Sequence, residues 1–175
     1  MNIKVWVRDL TIDKDIAIML PEGIKELDID HEYIILDSES LSIPELENID
    51  SLADFLKKCD ELGVDKETLE ILSATFMYNE IKEMVEKEEL PTIIDFDAET
   101  SDWRCGNGGD FTSEFDKGMA VYDFGYYNPF KFEMTEDIYD WIDWESVWTN
   151  AETDGWRAVR VNRTGYLIHR IDRRK

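Results

Sequence analysis

The segment Ile138–Trp148, "IYDWIDWESVW", decides how the second half of the chain is read. As one continuous helix it fails, because at 100° per residue its bulky side chains point all round. A break between Ile142 and Asp143 repairs the pattern. A short helix from about Thr135 then turns Ile138, Trp141 and Ile142 to one side, at i, i+3 and i+4. A second helix, capped by Asp143, turns Trp144, Val147 and Trp148 inward at the same spacing. Asp140 and Glu145 are left pointing outward. The aromatics thus read as core or subunit-interface residues and the acids as surface, which removes the case for a catalytic cleft here.

Beyond this segment, "WRAVRV" and "GYLIHRI" alternate around Asn162–Gly165 and predict a closing β-hairpin. Before it, "PTIIDF" reads as a strand, "WRCGNGGD" as a glycine-rich loop, and "GMAVYDFGYYNPFKFEM" as aromatic and β-like. Residues 51–90 have a helical period. Leu52, Phe55, Leu56, Cys59 and Leu62 share one face, with Asp50 or Ser51 as the cap and Gly63 as the stop. Asp65 caps a second helix with Leu69, Leu72 and Phe76 inward, and Ile81, Met84 and Val85 mark a third. At the N-terminus "IKVWVRDL", "DIAIMLP" and "EYIILDSE" read as three strands, with a short helix or turn in "GIKELDID". The expected class is α+β, an elongated array of small modules. Residues 1–50 form a three-stranded antiparallel sheet, 51–92 a helical bundle, and 93–175 a mixed α/β module ending in the hairpin.

Charge dominates the composition. The chain carries 41 Asp and Glu against 19 Lys and Arg, a net of −22. Residues 1–155 hold 40 acids and 12 bases, whereas residues 156–175 hold one acid and seven bases. So large an imbalance repels itself, and solubility asks for only about 2–8 charges. Halophilic adaptation fits poorly with 18 Ile and 11 Lys. The acids are interspersed with apolar residues and form no disordered block. Direct nucleic-acid binding needs a basic footprint that this composition lacks. No apolar run is long enough to span a membrane, and the N-terminus lacks a secretory pattern. Cys59 and Cys105 are read as free thiols in a reducing cytoplasm.

Catalytic and metal chemistry has no specific support. His31 and His169 are the only histidines, and neither has a partner at metal-ligand spacing. "GNGGD" lacks the Lys-Ser/Thr of a phosphate-binding loop. Acid pairs such as Asp28/Asp30 and Asp95/Asp97 arise readily in so acidic a chain. No cofactor and no metal site is expected. The carboxylates suit another purpose better. Duplex DNA carries one charge per roughly 1.7 Å, so 28 excess charges match about 48 Å of duplex. Such a surface competes for basic DNA-binding grooves. The candidate acidic surface comprises Asp54, Asp60, Glu61, Glu67, Glu70, Glu80, Glu83, Glu86, Glu88, Glu89, Asp140 and Glu145. Trp141, Trp144, Val147 and Trp148 are the candidate core or dimer residues.

The chain resembles the ArdA antirestriction family. The densest match is "WIDWESVWTNAETDGWRAV" followed by "GYLIHR", within residues 141–170. There Trp141-Ile142-Asp143-Trp144-Glu145 is similar to the family's Tyr-Ile-Asp-Tyr-Glu, and Gly165-Tyr166 falls in the closing strand. "VWVRDL", "EYIILDSE" and "ENIDSLADFLKKCDEL" resemble the family's strand, acidic strand and helix in order. The likeness extends over about two thirds of the chain. It implies an acidic, cytoplasmic homodimer from a mobile element or phage. That homodimer would occupy the DNA groove of type I restriction–modification enzymes and block them, with no enzymatic activity of its own. Three other readings compete: an anti-CRISPR mimic that binds a Cas effector, a divalent-metal enzyme built on Asp and Glu, and a plain interaction module.

Overall fold

The computed structural model describes residues 1–123 and 140–170, apart from the side chains of Arg104 and Cys105. The chain divides into two compact units, Met1–Leu90 and Pro91–Lys175. Both mix strands and helices, so the class is α+β.

In the first unit, β1 (Ile3–Asp9) is central and pairs antiparallel with β2 (Lys14–Leu20) and β3 (Tyr33–Ser38). Alternation decides which face is covered. Ile3, Val5, Val7 and Asp9 are buried, while Lys4, Trp6 and Arg8 face the other way. The "GIKE" expectation is met by a 3-10 turn at Glu22–Glu26. Helix α1 (Ile49–Glu61) packs on β3 and on that turn, burying Leu52, Phe55, Leu56 and Cys59. Its cap is Asn48, whose side chain accepts from Ser51 N at 3.0 Å. The sequence pointed to Asp50 or Ser51 instead. Ile49 is buried, so the helix starts early enough to include it, and asparagine caps as well as aspartate. Gly63, at φ +72°, terminates α1 in the left-handed region where a side chain is strained. Asp65 caps α2 (Lys66–Thr75) through Thr68 N at 2.8 Å. In α3 (Tyr78–Glu86) the buried residues are Tyr78, Ile81, Met84 and Val85. The sheet and the three helices, separable by period in the sequence, share this single unit.

The second unit is built on a sheet of order β4-β6-β5, all antiparallel: β4 Thr92–Asp95, β5 Trp156–Val161 and β6 Thr164–His169. Asn162 and Arg163 both have positive φ, 49° and 77°, the geometry that matches a two-residue hairpin turn to strand twist. Two single-turn helices, α4 (Phe96–Glu99) and α5 (Trp103–Gly106), precede α6 (Glu114–Asp123), and α7 spans Trp144–Thr153. One core joins helices to sheet through Phe96, Val121, Trp144, Trp148, Trp156 and Leu167.

Several expectations change here. Gly118–Asp123, read as β-like, is the second half of α6, and residues from Phe124 to Tyr139 lie outside the described residues. Gly118 and the β-favouring Val121 and Tyr122 hid the helix. The glycine is there for packing: a Cβ on it would overlap the Trp144 carbonyl of α7, 2.9 Å from the carbonyl carbon and 3.3 Å from Trp148 N. "WRCG" is a helical turn and not loop. Trp141, counted inward with Ile138, is 87 % exposed in the turn before Asp143. Ile138 itself and the helix expected from Thr135 fall outside the described residues. The break at Asp143 is present. Its carboxylate accepts from Ser146 N at 3.1 Å and from the Ser146 hydroxyl at 2.7 Å, which holds it below the usual carboxylate range. Trp144, Val147 and Trp148 are buried within the unit.

Candidate acidic interaction surface

The periodicity that buries one side of each helix forces its carboxylates to the other. On α1, Asp54 and Asp60 interrupt the apolar series and are exposed, as is Glu61. On α2, Glu67 is exposed and Glu70 half-buried, accepting from Ser40 Oγ at 3.1 Å. Along α3 and just past it, Glu80, Glu86, Glu88 and Glu89 are exposed and Glu83 is half-buried. The ten central acids therefore lie on the first unit. Asp140 and Glu145, also exposed, belong to the second.

Five lysines fall within residues 49–90, against twelve carboxylates. All five are held in ion pairs. Lys57 pairs with Asp54 at 2.7 Å, Lys58 with Glu88 at 2.6 Å and Lys87 with Glu83. Lys66 pairs with Glu39 at 2.9 Å and Lys82 with Glu47 at 3.0 Å. The N-terminal amine sits on Asp60. The exposed pairs among these, such as Lys57–Asp54 and Lys87–Glu83, add little stability, about 0–1 kcal/mol each. Their effect is electrostatic: each cation is tied to one carboxylate, and the surplus stays negative. Hydrogen bonding to Glu88 raises Lys58 above the usual lysine range, so the bridge from α1 to the turn after α3 stays charged.

Glu80 has a second role. Its Oε2 accepts from Met77 N at 2.9 Å and closes the first turn of α3. Successive carboxylates at Glu80, Glu83 and Glu86 rise by about 4.5 Å each along the helix axis. Phosphates on one DNA strand rise by about 3.4 Å.

The groups suggestive of chemistry have local uses instead. Asp95 caps α4 through Ala98 N at 2.9 Å, and Asp97 accepts from Gly165 N at 2.9 Å. Burial pushes the Cys59 thiol up to about 12, which makes it an inert core residue. Among the described residues no group of three or more His, Cys, Asp or Glu side chains could hold a metal ion. No described helix is long and apolar enough to cross a membrane.

Sequence reasoning missed the buried polar arrangement around Asp9. Asp9 is 3 % exposed, with Oδ2 at 2.7 Å from His31 Nδ1 and Oδ1 accepting from Thr11 N and Ile12 N. Strand alternation could have flagged it, because Asp9 continues the inward series of Ile3, Val5 and Val7. Donating its Nδ1–H to the Asp9 carboxylate raises His31, with the charges of Asp9, Asp28 and Asp30 adding to it against the opposing effect of desolvation. A raised histidine contributes stability fully below its unfolded value of about 6.5, and loses it as pH rises through the folded value. Thermal melts across pH 5.5–9 should show wild type losing this increment with rising pH, while His31→Gln stays flatter over that window. Parallel curves would contradict the assignment.

No protein-family model matches the chain, and no curated protein matches it.

Proposed function

We propose that the protein is a non-enzymatic DNA mimic. In this reading it binds the basic DNA groove of a type I restriction–modification enzyme and shields incoming DNA from cleavage. The observation that carries the reading is the helical surface of residues 49–90. Its twelve carboxylates outnumber five lysines, and every one of those lysines is already tethered to an acid. A basic groove meeting this surface finds no unpaired cation on the helices to repel it. Fast, charge-steered association follows. The resemblance of residues 141–170 to the ArdA family favours a restriction enzyme over other groove-bearing proteins.

The test is a plasmid-protection assay with a purified type I enzyme and unmodified DNA. Protection near stoichiometric ratios is expected. Its strength should fall about tenfold or more between low and physiological salt, because exposed charges are screened within about 8 Å. Replacing Glu80, Glu83, Glu86 and Glu89 together with Gln should raise the protecting concentration at least tenfold. The fold should survive, since glutamine still closes the first turn of α3. Unimpeded cleavage at large excess of protein, or salt-insensitive binding, would sink the proposal.

A further inference from the structure

A groove of about 450 Å³ opens on the first unit, between the loop that follows β3 and the junction of α2 with α3. Ile43 and Pro44 of the loop supply part of its apolar lining, and Phe76, Met77 and Tyr78 of the junction supply the rest. The loop is tied to α2 three times. Lys66 pairs with Glu39 at 2.9 Å, Ser40 Oγ donates to Glu70 Oε1 at 3.1 Å, and Ser42 N donates to Ser73 Oγ at 3.0 Å. Farther along, Glu47 accepts from Lys82 Nζ of α3 at 3.0 Å. The groove is therefore preformed, and little ordering is left for a guest to impose. The local fold does not account for Met77. It occupies the N-cap of α3, which Ser, Thr, Asp or Asn fills better than a thioether, and it is 79 % exposed. Leu46, in the same pinned loop, is 91 % exposed. Apolar side chains left in water around a formed groove mark a contact surface.

We propose that this groove docks a peptide segment of a protein partner, in which one large aliphatic or aromatic side chain is flanked by lysines or arginines. Charge selects the flanks. Residues 39–50 carry four carboxylates and residues 67–80 carry three, with no lysine or arginine in either stretch. The bases that border the second stretch, Lys66 and Lys82, are tied to Glu39 and Glu47. A basic segment is drawn to this frame, and its apolar side chain then leaves water in the groove. The same charge turns other occupants away. An anionic lipid surface is repelled, and a second copy brings its own net charge of −22. Methionine suits the task, because its flexible, polarisable thioether adapts to differing anchors. The proposal deepens the mimic reading by naming what the target offers besides charge, and it rests on that reading for the identity of the partner.

The experiment titrates the full chain with three acetylated, amidated pentapeptides, Lys-Lys-Phe-Lys-Lys, Lys-Lys-Ser-Lys-Lys and Glu-Glu-Phe-Glu-Glu, read by calorimetry and amide NMR. The first is expected to bind tighter than the serine peptide by about fivefold or more, and the acidic peptide to give no saturable binding. The largest amide shifts should fall on Ser42, Ile43, Met77 and Tyr78. Raising the salt should weaken both lysine peptides and preserve their ratio, because screening acts on the flanks and not on the anchor. Met77→Ser should remove most of the preference for phenylalanine, with thermal stability unchanged or raised, since serine is the better cap. Equal binding of the two lysine peptides, saturable binding of the acidic one, or shifts centred elsewhere would each overturn the proposal. So would a folded Met77→Ser protein that keeps the full preference. Two further outcomes would overturn it by naming another occupant. Pelleting with phosphatidylglycerol vesicles that Met77→Ser abolishes identifies a lipid surface, and concentration-dependent sedimentation that it abolishes identifies a second copy. The assay contains no restriction enzyme, so loss of peptide binding beside intact plasmid protection strikes this proposal alone, and the converse strikes the mimic reading alone.

Discussion

Gly118→Ala is expected to destabilise the second unit by about 3 kcal/mol, the upper end of ordinary overpacking costs. Helix propensity alone argues the reverse, because alanine is favoured over glycine by about 1 kcal/mol inside a helix. The sign of the result therefore separates packing from propensity. Gly118 is buried where α6 crosses α7, and the added methyl would meet backbone atoms of Trp144 and Trp148, which no rotamer change can move aside. Relief requires the helices to part, which strips dispersion contacts from the tryptophan core they share. Five of the six tryptophans lie in the second unit and only Trp6 in the first. Urea unfolding followed by tryptophan fluorescence thus reports mainly on the affected unit. A lowered midpoint with an unchanged slope is the expected outcome. An unchanged or raised midpoint would show that α6 and α7 lie further apart than described.

The second large effect is Trp148→Ala, expected to cost about 3–5 kcal/mol. Trp148 is 1 % exposed and packs in the cluster with Val121, Trp144 and Trp156. Alanine leaves a cavity those neighbours cannot close, and Lys117 loses the ring beneath it. Trp141→Ala offers the contrast: at 87 % exposure it should change stability by less than about 0.5 kcal/mol. Sedimentation of both variants separates folding from assembly. A Trp148→Ala protein of wild-type stability would remove this residue from the core.

What the sequence made legible was local and periodic. Alternation in Ile3, Val5 and Val7 and the i, i+3, i+4 pattern of Ile81, Met84 and Val85 are set by neighbours along the chain. The same holds for the caps at Asp65 and Asp143, where a short side chain reaches an amide three residues on. The outward acids were legible for the same reason, as the remainder of each helical period. What escaped needed contacts between distant residues. Gly118 reads as a helix breaker until Trp144 is brought against it. Nothing near "TIID" says that its partner is "YLIH". Trp141 keeps the spacing of a core residue but falls in a turn, where helical spacing has no meaning. The groove of the first unit was invisible in the same way, since Ile43, Ser73 and Met77 meet only through the packing of three separate stretches of chain.

The strand order of the second sheet bears on how the protein is made. Among the described residues β6 is the middle strand of its sheet, yet it is the last of the three to be synthesised, and β4 pairs with it alone. Thr92 must therefore wait for His169, 77 positions later. At about 5–20 residues per second this interval is roughly 4–15 s of translation. In the first unit, β1 meets β2 across a short turn and β3 soon after. Its contacts are complete before those of the second can begin. During the interval Ile93 and Ile94 lack their described partner strand, and Asp95 and Asp97 follow them directly. Charges beside an unpaired apolar strand discourage pairing with other chains. Those aspartates thus guard the growing polypeptide before they serve as cap and hairpin anchor in the finished one.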